Sequence, residues 1–201
     1  MKRKSFTRGE GLLENFLAYR RFCVVDPLIA GEHRDGRILD IGCGTYPYFL
    51  LHTRFNEKHG LDPCVSIEDE EQLESKIIFH KIFFEQGTRL PFADQSLSTV
   101  TMLGVVEHFR PEQFVDLMKE VRRMLVLDGR FILTTPAPWA AQVLKIMAKF
   151  KLISVQEIEG IMAHYSSRSL KKCFAEAGLN IGRMRFGYFQ MFLNSWVVIE
   201  R

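Results

Sequence analysis

The sequence lacks a stretch of apolar residues long enough to span a membrane and a pair of cysteines spaced for a metal. Its four cysteines include no Cys-X-X-Cys pair, so they indicate reduced thiols rather than a disulfide or metal framework. A membrane span needs about 18 consecutive apolar residues, and the basic start of the chain has no apolar core of the kind found in signal peptides. These absences lead us to expect a cytoplasmic protein.

Low-complexity tracts, internal repeats and a concentrated basic stripe are absent as well. The net charge of +3 comes from 27 basic and 24 acidic residues, and a dedicated nucleic-acid-binding protein usually has a strongly basic face. Apolar residues make up 47% of the 201 residues and aromatic residues 12%, which is typical of a globular protein with one sizeable core.

Short apolar runs alternate along the chain with segments of helical periodicity. Pro111 favours the start of a helix, Asp128 and Gly129 its end, and Ser167 is the expected cap of a late helix that ends at Gly178. The predicted strands are 38–41, 58–61, 77–82, 97–103, 130–135, 181–186 and 196–199, and further helices are predicted over 9–30, 46–55 and 140–151.

This alternation predicts an α/β fold with a mostly parallel seven-stranded sheet and helices on both faces. The last two predicted strands follow each other without a helix between them, which favours an antiparallel hairpin at the C-terminus. We expect residues 1–36 to form an N-terminal helical segment and residues 37–201 to form the main domain.

A glycine-containing loop follows the first predicted strand, where Asp40 precedes Gly42, Cys43 and Gly44. Glycines at this point let the backbone turn tightly and approach a ligand closely. Asp62 follows about 20 residues later at the end of the second predicted strand, where an acid can accept hydrogen bonds from ribose hydroxyls. The two features together indicate a cofactor that contains adenosine. The alternative interpretation is a plain strand-to-helix turn followed by an ordinary surface acid, which would give the same sequence pattern.

The segments 38–44 (ILDIGCG) and 60–62 (GLD) resemble the first two motifs of class I S-adenosylmethionine-dependent methyltransferases. The segments 90–96 (LPFADQS) and 105–109 (VVEHF) are similar to the signature of the type 11 group, whose members methylate small molecules. The resemblance covers residues 37–178 and implies a Rossmann-like domain with S-adenosylmethionine as cofactor. Residues 1–36 lie outside it, and we expect them to cover the acceptor side of the site.

The resemblance also implies roles for individual residues. Asp40 and the backbone of residues 42–44 would hold the methionine end of the cofactor, and Asp62 would bind the ribose hydroxyls. Pro63 would pack near the adenine, and Leu103 would close the pocket. Gln86, or Glu85 if the alignment shifts by one residue, would lie near the adenine amino group.

Glu107 and His108 follow the fourth predicted strand and are the candidate catalytic residues. A histidine at the ligand-binding edge of the sheet could deprotonate a hydroxyl group near neutral pH. The alternative interpretation is that both residues organise the loop before the helix at Pro111. No residue pattern indicates a metal ligand set.

The acceptor we expect is a small molecule, a lipid or a glycan, with methylation of oxygen slightly preferred, and no nucleic acid is expected. Contact with a membrane surface through residues 140–150 stays open, as does the oligomeric state. The main alternative is a catalytically silent cofactor-binding or partner subunit. A nicotinamide-dependent oxidoreductase is disfavoured, because Tyr46 and Pro47 occupy the position of the third glycine of a dinucleotide loop.

Overall fold

The structure is a computed structural model that describes residues 14–65, 76–149 and 160–201. Within these ranges the chain forms one sheet and five α-helices, joined by loops and short 3₁₀ turns. The strands are β1 Arg37–Ile41, β2 Glu57–Leu61, β3 Ile77–His80, β4 Leu97–Leu103, β5 Leu125–Pro136, β6 Met184–Phe189 and β7 Asn194–Glu200. The helices are α1 Glu14–Val25, α2 Tyr48–His52, α3 Pro111–Met124, α4 Ala141–Lys149 and α5 Ser167–Glu176.

The seven strands that the structure describes lie in the order β3-β2-β1-β4-β5-β7-β6. Strands β1 to β5 run parallel to one another, whereas β7 is antiparallel to both β5 and β6. The predicted α/β fold class is therefore confirmed, including the antiparallel hairpin at the C-terminus. The strand order reverses between β1 and β4, and open α/β sheets bind ligands at such a switch point, beyond the carboxyl ends of the strands.

The two faces of the sheet bury separate groups of side chains. Because successive side chains in a strand point to opposite faces, Ile38 packs on one side with Phe49 and other residues near α1 and α2. Leu39 packs on the other side in the cluster that contains Phe114 and Phe174 from α3 and α5. The helices on both faces are as predicted, with α1 and α2 on one side of the sheet and α3 and α5 on the other.

Several predicted boundaries are wrong by a few residues, each for a local reason. Helix α1 ends at Val25 rather than at residue 30, because Pro27 lies in a 3₁₀ turn and cannot donate the next helical hydrogen bond. Strand β5 begins at Leu125, before the expected turn at Asp128 and Gly129, and its pairing with β4 is irregular there. Strand β6 begins at Met184, because residues 181–183 form another 3₁₀ turn.

The cap of α5 is Ser166 and not the predicted Ser167. The Ser166 hydroxyl accepts a hydrogen bond from the Ser169 amide, and the Ser169 hydroxyl accepts one from the Ser166 amide. Gly178 follows this helix with a φ of +77°, as a residue that ends a helix often does. The expected first turn of the N-terminal helix before residue 14, and the expected end of α4 at residues 150–151, lie outside the described residues.

Candidate functional site

A cavity of about 520 Å³ opens at the carboxyl ends of β1, β2 and β4. This volume lies within the usual range of small-molecule sites, and the position is the one expected from the reversal of strand order. Most of the residues that the sequence singled out meet there. The predicted site residues that line the cavity are Asp40, Gly42, Cys43, Gly44, Asp62, Pro63, Leu103 and His108.

The loop after β1 turns toward the end of β2. Gly42 and Gly44 have φ values of +77° and +73°, a region that favours glycine. The Gly42 amide donates a hydrogen bond of 2.7 Å to the Leu61 carbonyl oxygen, which holds the loop against β2. A Cβ atom on Gly42 would lie 2.4 Å from Cγ2 of Val105, so any side chain there would displace the segment after β4.

Asp62 is directed at this loop. Its carboxylate accepts hydrogen bonds from the Gly44 amide at 3.1 Å and from the Cys64 amide at 2.8 Å. The residue is only 2% exposed, and both it and the glycines line the same cavity. The acid predicted to bind ribose hydroxyls and the loop predicted to approach the cofactor are thus brought together.

Asp40 lines the cavity and is 4% exposed. The Thr101 hydroxyl donates a 2.7 Å hydrogen bond to its carboxylate. Burial raises the pKa of Asp40 to about 7, the Thr101 hydrogen bond opposes that shift, and the charge of Asp62 adds to it. Asp40 is therefore a buried carboxyl group whose charge a cation in the cavity would stabilise.

His108 is held in one orientation by the segment that precedes α5. Its Nδ1 lies 2.8 Å from the Gly160 carbonyl oxygen. Because a carbonyl oxygen only accepts hydrogen bonds, Nδ1 carries the hydrogen, and Nε2 of the neutral ring carries the lone pair. The residue lines the cavity, so its ring has the tautomer that a general base requires.

Glu107 lies behind His108 rather than in the cavity lining. It accepts a hydrogen bond from the Thr135 hydroxyl at 3.2 Å, and its backbone oxygen accepts the amides of Met162 and Ala163. Burial raises the pKa of its carboxyl group, although the charges of His108 and Arg21 oppose the shift. These contacts join the loop after β4 to residues 160–163, which corresponds to the organising role that the sequence left open.

Gln86 is exposed and does not line the cavity. The chain turns after Phe84, where the Glu85 amide donates to the Thr88 hydroxyl and Gly87 has a φ of +79°. The residues before this turn reach the cavity instead, where the buried Phe84 and the largely exposed Phe83 contribute to its lining beside Ile82. The structure therefore does not bring Gln86 to the position expected from the resemblance, and Glu85 is also exposed.

Helix α1 contributes residues that sequence analysis missed. Ala18, Arg21 and Phe22 line the cavity, and Phe22 packs against Tyr48 and Phe49. Their spacing places them on one face of a helix, which is the one local pattern that could have indicated them. The sequence alone does not show that this face of α1 lines the cavity.

A match to a family model identifies the protein family of this chain. Residues 16–182 match a model described as a methyltransferase domain. The chain belongs to this family. The match begins within α1 and includes every residue named above as lining the cavity.

Curated relatives carry the name "Probable tRNA methyltransferase 9B". The bovine protein is 27% identical over 104 residues, and the human protein is 28% identical over 107 residues. Each match covers 51% of this chain and 22% of the relative. The chain thus spans about a fifth of the length of the curated relatives it matches.

Solved structures share the fold at low sequence identity. A SAM-dependent methyltransferase from Archaeoglobus fulgidus has a TM-score of 0.65 and 14% identity, with 93% of this chain and 94% of that chain covered. An S-adenosylmethionine-dependent methyltransferase from Mesorhizobium loti has a TM-score of 0.63 and 13% identity, with 92% and 100% covered. The resemblance to class I methyltransferases is therefore confirmed at the level of family and fold, and it identifies the cofactor as S-adenosylmethionine.

The described residues fit that cofactor. Its ribose hydroxyls require an acceptor, which the Asp62 carboxylate beside the glycine loop would provide. The ammonium group of its methionine end requires a nearby anion, and Asp40 lies buried in the same cavity with a pKa that a neighbouring cation would lower. Around Gly44 the loop is open, because a Cβ atom there would have no heavy atom within 4 Å.

Proposed function

We propose that this protein transfers the methyl group of S-adenosylmethionine to a hydroxyl oxygen of a small-molecule, lipid or glycan acceptor, with His108 as the general base. The observation that carries the proposal is the hydrogen bond from His108 Nδ1 to the Gly160 carbonyl oxygen. It leaves the basic Nε2 on a ring that lines the same cavity as Asp62 and the glycine loop. An oxygen nucleophile needs such a base because a neutral hydroxyl group is weakly nucleophilic.

The cofactor-binding roles extend the sequence predictions. Asp62 accepts hydrogen bonds from the ribose, Pro63 packs near the adenine, and Leu103 closes the pocket beyond β4. Asp40 and the backbone of residues 42–44 hold the methionine end. The sulfonium supplies an already activated methyl group, so the protein contributes chiefly position and electrostatics.

The rest of the cavity favours an acceptor with an apolar or aromatic part. Its walls include Phe22, Tyr46, Tyr48, Phe109 and Met162, and such side chains fit flat or apolar groups. Some of these residues belong to α1 and to the segment before α5. This supports the proposal that residues 1–36 and 136–166 form the cover that selects the acceptor.

Transfer RNA is the second candidate acceptor. It is favoured by the name of the curated relatives, "Probable tRNA methyltransferase 9B". The small apolar cavity would then receive one exposed base, and phosphate contacts would make binding strongly dependent on salt. A catalytically silent subunit would bind the cofactor equally well but would release no product with any acceptor.

The test is release of S-adenosylhomocysteine with pools of hydroxylated small molecules, lipids, glycans and transfer RNA. We expect turnover with a pool of hydroxylated compounds. Turnover with transfer RNA alone would replace the proposed acceptor class. Cofactor binding without turnover in any pool would favour the silent subunit.

With an acceptor in hand, His108→Gln should lower kcat by about 100-fold or more, because the base is lost. Affinity for S-adenosylmethionine should stay within about twofold, since Asp62 and the glycine loop are intact. His164→Gln is the matched control, because His164 is exposed and does not line the cavity. Equal losses of kcat and cofactor affinity in His108→Gln would show that the residue is structural.

A further inference from the structure

Arg21 lies against the backbone at the end of β4. A Cβ atom on Gly104 would be 3.2 Å from Cζ of Arg21 and 3.3 and 3.5 Å from its two terminal nitrogens. All three distances are similar, so the flat face of the guanidinium, rather than its edge, is turned toward this glycine. Gly104 has a φ of +72°, and a side chain there would meet the guanidinium.

The N–H donors of the Arg21 guanidinium are not used by the described protein residues. In the described part of the chain it forms neither a hydrogen bond nor an ion pair, although it carries five N–H donors. The charge of Arg21 acts on Glu107, but burial disfavours the ionised form of that carboxyl group, and Thr135 already donates to it. A half-buried arginine in a cavity is therefore left with its donors available for a ligand.

The charges of the residues that line the cavity indicate which chemical group of a ligand Arg21 would bind. Among the described residues that line the cavity, Arg21 is the only lysine or arginine, whereas Asp40 and Asp62 are both carboxylic acids. A carboxylate in the cavity would be repelled by the two acids and attracted by Arg21. Arginine also matches a carboxylate geometrically, since its planar fork can donate two parallel hydrogen bonds.

The position of Arg21 indicates which carboxylate it receives. It contacts Gly104, and the next residue, Val105, is the neighbour that a side chain on Gly42 would strike at 2.4 Å. The guanidinium therefore lies beside the glycine loop, on the side of the cavity assigned to the methionine end. That end carries both an ammonium and a carboxylate group, which match Asp40 and Arg21 in charge.

From this geometry we infer that Arg21 binds the carboxylate of the methionine moiety of S-adenosylmethionine, so that α1 forms part of the cofactor site. The inference rests on the proposed function for the identity of the cofactor. It assigns to the N-terminal segment a role in cofactor binding, in addition to the acceptor cover proposed above. The contacts of Phe22 with Tyr48, Phe49 and His52 hold α1 in place for this task.

The experiment compares two ligands that differ in this one group, S-adenosylmethionine and decarboxylated S-adenosylmethionine, by titration calorimetry. Arg21→Met should weaken binding of S-adenosylmethionine by about 10- to 100-fold, because charge-assisted hydrogen bonds are lost. Binding of the decarboxylated ligand should change by no more than about twofold. Arg20→Met, a change at the exposed neighbouring residue, should leave both affinities unaltered.

Equal losses for the two ligands, or no loss for either, would overturn the inference. Loss of turnover at full S-adenosylmethionine affinity would also overturn it and would assign Arg21 to an anionic acceptor. If Arg21→Met does not fold, Arg21→Lys and Arg21→Gln serve instead, and affinity for S-adenosylmethionine should decrease from Arg to Lys to Gln. A folded wild-type protein that binds neither ligand contradicts the proposed function itself, which is a separate result.

Discussion

Two buried carboxyl groups in the cavity differ in how their charge is stabilised. Asp62 accepts hydrogen bonds from two backbone amides, whereas Asp40 accepts one from the Thr101 hydroxyl. Amide donors favour the ionised form of a carboxyl group, and burial without enough donors disfavours it. The two residues are therefore suited to different partners, hydroxyl groups in one case and a cation in the other.

Asp62→Ala should weaken binding of both S-adenosylmethionine and S-adenosylhomocysteine by about 10- to 100-fold, because hydrogen bonds from the ribose to a charged acceptor are lost. Calorimetric titration of the folded variant measures this loss. Asp35→Ala, at an exposed acid that does not line the cavity, is the control and should bind normally. Unchanged affinities in Asp62→Ala would exclude the proposed ribose contact.

Asp40 predicts a pH dependence of stability in the cofactor-free protein. Its pKa is near 7 in the folded state and about 3.9 in the unfolded chain. Because the folded-state pKa is the higher one, the contribution to stability is complete below pH 4 and is lost as the pH rises through 7. Asp40→Asn removes this dependence while keeping an oxygen that can accept from Thr101.

Urea unfolding of the wild type and of Asp40→Asn from pH 4 to pH 8 measures the effect. The free energy of unfolding of the wild type should fall relative to the variant by up to about 4 kcal/mol over this range. A constant difference between the two proteins would show that Asp40 is ionised throughout. The same profile with saturating cofactor should be flatter, because the bound ammonium stabilises the charged form.

At the scale of single elements, the start of α5 controls the segment that holds His108. Residues 160–163 contact Glu107 and His108, and Tyr165 donates a hydrogen bond to the Phe109 carbonyl oxygen. The chain then enters α5 through the reciprocal hydrogen bonds of Ser166 and Ser169. Residues 160–165, which hydrogen-bond to residues 107–109, thus lead directly into the capped start of α5.

Ser166→Ala should lower the free energy of unfolding by about 1 kcal/mol, the usual cost of losing a side-chain N-cap. Urea denaturation monitored by circular dichroism gives the value. Ser167→Ala is the control, since Ser167 is the first helical residue and makes no cap hydrogen bond in the segments described. A larger loss in Ser167→Ala than in Ser166→Ala would contradict the assigned cap.

At the scale of the whole molecule, a cofactor that contacts α1, β1, β2 and β4 should stabilise the fold as a unit. At a ligand concentration of 100 times Kd, binding to the folded state adds about 2.7 kcal/mol. For a chain of this size that corresponds to an increase in Tm of about 5–10 °C. Scanning calorimetry with S-adenosylhomocysteine should show it, and Asp62→Ala should lose most of the increase at the same ligand concentration.

The sequence by itself determined the features that depend on neighbouring residues. The apolar runs predicted the strands, and the glycine loop and Asp62 were located correctly because both directly follow buried strands. The turn residue Pro111 marked the start of α3. Such features can be predicted from sequence because backbone propensity, side-chain alternation and turn chemistry depend on only a few neighbouring residues.

Only the tertiary structure decided the features that depend on contacts between distant residues. Arg21 reaches Gly104, and His108 is oriented by Gly160, yet no local pattern links either pair. The same holds for Glu107, which the fold places behind the cavity, and for Gln86, which it turns outward. The physical reason is that packing of helices and loops onto the sheet, rather than backbone propensity, sets which side chains meet in the cavity.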